Sequence, residues 1–91
     1  MPYRIEYYHA RVKKVIESWP VGILADYLRM IELLAEFGRE LRMQHTRALG
    51  DGLFELRPRG AEGDGRAFYC YISGQRIVLV HAVMKKSEKT M

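Results

Sequence analysis

The sequence predicts an α+β fold, a helix hairpin packed on a mainly antiparallel sheet in the order β-α-α-β-β-β. Two observations carry this expectation. Apolar residues between His9 and Phe37 recur with the helical period, whereas from about residue 52 onward they alternate with a period of two. Two glycine-bearing breaks, at 59–65 and 73–75, then divide the second half into three short strands.

Residues 3–8, YRIEYY, alternate and are rich in β-formers, so they read as a first strand. From His9 the pattern changes. Val12, Val15, Ile16 and Trp19 fall at i, i+3, i+4 and i+7, which makes an amphipathic helix. Pro20 ends it for want of an amide donor and suits the first turn of a second helix. In that helix Leu24, Tyr27, Leu28, Ile31, Leu34 and Phe37 form an apolar stripe, and Gly38 fits the left-handed position at its end. Residues 42–52 read as a connector. Strands follow near 53–58, 66–73 and 76–84, separated by a flexible loop at 59–65 and a tight turn at Ser73-Gly74-Gln75. The expected core includes Leu24, Leu28, Ile31, Leu34, Phe54, Leu56, Val78 and Val80.

Ninety-one residues make one domain, 1–91, large enough to bury roughly 60% of the unfolded chain's surface. A net charge of +4 is mildly basic and permits a phosphate-rich partner without requiring one. The single cysteine, Cys70, rules out a disulfide within the chain and favours a reducing compartment. The N-terminus lacks an apolar signal core, and no apolar run approaches a membrane span, so the cytoplasm is expected, with no membrane partner.

His9, His45 and His81 have no metal-ligand spacing, so neither a metal nor a cofactor is expected. Gly60, Gly63 and Gly65 precede a strand and not a helix, which fails the context of a dinucleotide loop. Arg57 ends one strand and Arg66 opens the next. They could clamp a phosphate, or they could be solvated edge residues paired with Glu55 or Glu62, which is the commoner outcome for such residue types. Tyr69 and Tyr71 share one strand face, opposite Phe68, Cys70 and Ile72. The tyrosines could stack bases or equally cap the core. His81 lies between apolar neighbours, where a histidine is more often a core group than a proton carrier. Lys85, Lys86 and Lys89 continue the last strand. Cations and aromatics on a small sheet suit RNA first.

Trp19-Pro20, the run GDGLFELR from Gly50 to Arg57, Arg66 with Tyr69, and HAVMKKSEKT from His81 to Thr90 together resemble the RelE/ParE toxin superfamily of type II toxin–antitoxin systems. The nearest branch is the phage-derived HigB-like toxins, and the likeness runs through almost the whole chain. The resemblance implies a RelE-like microbial RNase fold. It also implies metal-independent, ribosome-dependent mRNA cleavage through attack by the RNA 2′-hydroxyl, which inhibits translation. Carried onto this sequence, it gives Arg57, Arg66 and Lys86 as basic site residues, with Lys85 beside them and His81 as a weaker catalytic assignment. Tyr69 and Lys89 are the expected RNA-binding positions. Implied partners are the ribosome with its mRNA and a cognate antitoxin of helix-turn-helix type, and a homodimer is a further expectation. Family members usually continue into a C-terminal helix. The sequence ends at Met91, so the expected fold has that helix missing. The alternatives are a ParE-like gyrase poison, against which the retained Arg57, Arg66 and Lys86 argue, and an inactive remnant that only binds an antitoxin.

Overall fold

The computed structural model describes residues 2–41 and 46–86, Lys86 in its backbone only. Strand β1 (Arg4–Tyr7) leads into helix α1 (Ala10–Glu17). His9 caps α1: its backbone is extended and its Nδ1 accepts the Arg11 amide at 3.0 Å, satisfying one otherwise open donor. Helix α2 (Val21–Phe37) begins directly after Pro20. It ends at Gly38, whose φ of +54° favours glycine, and a methyl there would also collide with the Tyr3 ring. A short 3-10 turn, Gly38–Glu40, follows.

The buried stripe of α2 is Ile23, Tyr27, Met30, Ile31 and Leu34. The expected stripe was rotated from it. Leu28 is 53% exposed and Phe37 45% exposed, while Leu24 is half-buried. The helix is apolar on more than one side, so periodicity alone offered two stripes and the sheet takes one.

The sheet contains β2 (Thr46–Gly50), β3 (Leu53–Leu56), β4 (Arg59–Gly60), β5 (Gly63–Ile72) and β6 (Arg76–Lys86) besides β1. Its order is β1-β6-β5-β3-β2, with β4 pairing β5. Only β1 and β6 run parallel among these pairs, so the expected α+β layout of a helix hairpin on a mainly antiparallel sheet holds.

Two segments differ from expectation. Residues 46–50 form edge strand β2 and are not mere connector; almost all of β2 is exposed, so it carries no apolar alternation to read. The 59–65 segment is ordered, since β4 occupies 59–60 and β5 starts at Gly63. The Asp26 carboxylate on α2 accepts the Arg59 amide at 2.8 Å, and Gly60 lies so close to α2 that a methyl would sit 2.8 Å from the Ile23 nitrogen. Asp26→Ala should therefore loosen this hairpin and cost about 1 kcal/mol, read by chemical denaturation and by faster amide exchange at Arg59.

Leu56, Ala67, Tyr69, Ile77 and Leu79 bring the sheet's share of the core against the helices. Ile31, Leu34, Leu56 and Val78 are buried as expected, and Phe54 and Val80 are half-buried. Trp19 packs edge-on to Tyr27 at 5.8 Å, and its ring abuts β5, where a methyl on Gly65 would come within 2.8 Å of it. Among the described residues, no helix is long and apolar enough to cross a membrane.

Two buried phenols make the core sensitive to alkali. The Tyr27 hydroxyl meets that of Tyr7 at 2.8 Å. Burial pushes Tyr27 and Tyr69 well above the ordinary phenol value of 10.0. Above that pH the unfolded chain releases both protons while the folded chain keeps them. The unfolded state then binds fewer protons, and stability falls as pH rises. Phenolate absorbance should accordingly rise in two stages, the second coinciding with loss of the far-ultraviolet circular dichroism signal.

Candidate functional site

One face of the sheet packs on the helices and the other is open. Along β5, Gly63, Gly65, Ala67 and Tyr69 are buried, while Asp64, Arg66, Phe68 and Cys70 alternate with them and are half-buried. Small residues on the inner side let Trp19 pack there, and the outer side carries the charge.

Arg57 and Arg66 come together on the open face. Leu56 pairs with Ala67, and the Pro58 carbonyl accepts the Gly65 amide at 2.8 Å, so the step between them sets Arg57 opposite Arg66. Both Nε atoms are buried, with no hydrogen-bond partner among the described residues. A buried N–H left open costs about 1–3 kcal/mol, and an anionic oxygen would satisfy it.

Glu55 lies one step along the same face and is only 3% exposed. Its Oε1 is 3.3 Å from Arg47 Nε on β2, and its Oε2 is 3.9 Å from Arg66 Nε on β5. The carboxylate thus sits between arginines from both flanking strands.

His81 joins this face through a β-bulge. Phe68 pairs with His81 but Tyr69 pairs with Leu79, so Val80 is an extra residue on β6. Without the bulge His81 would follow Ile77 and Leu79 into the core; with it, the exposed imidazole stacks on Phe68 at 5.9 Å and 25°. Lys85, exposed, pairs across the ladder with Asp64. Among the described residues, no three His, Cys, Asp or Glu side chains are placed to hold a metal ion.

The family model of the phage-derived protein Gp49-like family (DUF891) matches residues 14–91. The chain belongs to this Gp49-like family. No curated protein matches the sequence at a significant level. Among solved structures it is similar to the archaeal RelE–RelB complex from Pyrococcus horikoshii OT3, at 19% identity and a TM-score of 0.64 over 92% of this chain and 96% of that one. The Gp49-like chain therefore has the RelE-like fold that its motifs implied.

In this Gp49-like protein the expected site residues do not all converge. Arg57, Arg66, His81 and Lys85 lie on the open face or its end. Tyr69 does not. It is buried against the helices with its ring stacked on Phe54 at 5.6 Å, so it offers no ring face to a base. Strand alternation allowed either face for the tyrosines, and the packing of α2 decides it. Lys86 pairs with Gly63 at the end of β6, but its side chain, like all of Lys89, lies outside the described residues. Arg47 and the Phe68 ring were not read from the sequence as site residues. Arg47 lies in the segment taken for a connector, and Phe68 becomes legible only once Tyr69 is assigned to the core.

Proposed function

We propose that this Gp49-like protein is the toxin of a type II toxin–antitoxin system, acting in the cytoplasm as an endoribonuclease on ribosome-bound mRNA. The observation that carries the proposal is the pair Arg57 and Arg66, opposite each other on the open face, with both Nε donors buried and neither making a hydrogen bond among the described residues.

In the proposed reaction the RNA 2′-hydroxyl attacks the adjacent phosphorus and the bond to the 5′-oxygen breaks. The products are a 2′,3′-cyclic phosphate and a free 5′-hydroxyl. One proton leaves the 2′-oxygen and one reaches the 5′-oxygen, so the step balances without another reagent. Arg57 and Arg66 hold the non-bridging oxygens and take up the charge that grows on them. Arginine stays protonated and cannot act as the base. His81, exposed in the next row, is the general acid–base candidate. Lys85 or Lys86 neutralises the leaving oxygen, and Lys89 is an RNA-binding position carried over from the resemblance alone. Most of the rate comes from positioning and electrostatics.

The partner in the resting state is an antitoxin protein. The similar solved structure is a RelE–RelB complex, and this chain exposes apolar side chains on α2, Val21, Leu28 and Phe37, besides its cationic sheet face. Induction of the protein in bacteria, with mapping of mRNA 5′ ends, tests the function. Growth arrest with new 5′ ends inside translated frames is the expected result. Arrest with intact mRNA and damaged DNA would instead assign the protein to the gyrase poisons.

A further inference from the structure

We propose that Glu55 is a positioning residue that holds the Arg57–Arg66 pair in its working arrangement before RNA arrives, with Arg47 as its counter-ion on the edge strand. This rests on the nuclease reading above.

Glu55 is the charged side chain that is buried among the described residues. A carboxylate is expensive to take out of water unless opposite charges compensate it. Here the compensation comes from two strands at once, Arg47 on β2 at 3.3 Å and Arg66 on β5 at 3.9 Å. The backbone ladders already set the register of β2, β3 and β5, so the ion pairs are not needed for that. Nor does a buried ion pair usually stabilise a fold better than apolar residues of the same size.

What the carboxylate does explain is the pair of arginines. Like charges directly opposite each other on neighbouring strands repel. With no RNA bound, Arg57 and Arg66 would tend to swing apart into solvent. A negative charge one step along the same face offsets that repulsion and tethers Arg66 by its Nε edge. The Arg66 side chain is 33% exposed, so part of it stays open to a ligand while the buried carboxylate anchors it. Arg47, more exposed, shields the far side of Glu55. The clamp is thereby organised in advance, which is what an electrostatic catalyst requires.

The same carboxylate opposes the binding of an anion. Binding and turnover should therefore separate when its charge is removed. Glu55→Gln keeps the shape and leaves the face more cationic. The experiment is ribosome-dependent cleavage of a defined mRNA by the purified full chain, comparing parent, E55Q and E55D, with denaturation midpoints for each. E55Q should lower kcat by about 10²-fold with KM unchanged or reduced. E55D, which keeps the charge on a shorter arm, should recover part of kcat. A second readout needs no activity: nitrogen-15 relaxation of the Arg66 Nε–H signal should show a restrained side chain in the parent and a more mobile one in E55Q. If the parent cuts mRNA and E55Q cuts it equally fast, the inference is overturned. It is likewise overturned if kcat and KM of E55Q change only in proportion to the fraction unfolded. If the parent itself does not cut, the nuclease reading has failed, and that is visible without any variant.

Discussion

Arg66→Glu should abolish toxicity while leaving the protein folded. Loss of one oriented donor to a transition-state oxygen commonly costs about 10²–10³ in rate, and charge reversal adds repulsion against the phosphate. The fold should tolerate the change, because Arg66 lies on the open face away from the helix-packed core, and its described ion pair is the 3.9 Å contact with Glu55. The new carboxylate of Arg66→Glu would nevertheless face that of the buried Glu55, so Arg66→Ala is the necessary companion: it removes the donor without placing two carboxylates together. Arg66→Ala, which leaves Glu55 paired with Arg47, should keep the parent's circular dichroism spectrum at a lowered denaturation midpoint, and both variants should fail to arrest growth on induction. Arrest equal to the parent in both would remove Arg66 from the chemistry. Arg57→Ala should behave in the same way, since Arg57 stands opposite Arg66.

Trp19→Ala should produce the largest loss of stability. The ring is 5% exposed, packs edge-on to Tyr27 and fills the space against Gly65. Truncation of a buried aromatic costs about 3–5 kcal/mol through lost burial and the cavity left behind. A small domain holds only about 5–15 kcal/mol in total, so most of its margin would go. The indole Nε1 is buried with no hydrogen-bond partner among the described residues, so losing that N–H should cost little. Trp19→Phe should cost less than Trp19→Ala, and its cost should come from the shorter ring's lost contact with Gly65. Denaturant midpoints for the two variants rank the loss by ring volume removed. A Trp19→Ala midpoint equal to the parent would contradict the packing described. Because Gly65 adjoins Arg66, the same ring also supports the backbone on which the clamp is mounted.

The fold was legible in the sequence wherever burial imposes a period. The change of period near residue 52 announced the passage from helices to sheet, and Pro20 and Gly38 marked where the helices break. Edge strand β2 was not legible, because an exposed strand has no apolar alternation. Leu28 was misplaced because α2 carries apolar residues on more than one side. The site was legible in part. Arg57 and Arg66 were visible as flanks of a hairpin, but their direct opposition depends on the pairing register. His81 reaches the open face only through the bulge at Val80, and a single extra residue leaves no mark on local composition. Alternation left the faces of Tyr69 and Phe68 open, because it defines two faces without saying which one the helices cover, and the RNA-binding role that the resemblance implies for Tyr69 is not met by its buried ring. Glu55 was noticed as a candidate partner for the arginines, yet its burial between two strands depends on contacts distant in sequence.

If the open face cuts RNA by attack of the 2′-oxygen under an arginine clamp, the 2′-hydroxyl at the cut is indispensable. The most direct measurement gives the purified protein two ribosome-bound mRNAs, one all-ribose and one with a single 2′-deoxy nucleotide at the mapped cut. The 3′ ends of the upstream fragments are then analysed. The ribose message should yield a 2′,3′-cyclic phosphate, or the 3′-phosphate it opens to, and the deoxy message should survive at that position. Cleavage of the deoxy message at the same bond, or a 3′-hydroxyl on the upstream fragment, would contradict this mechanism.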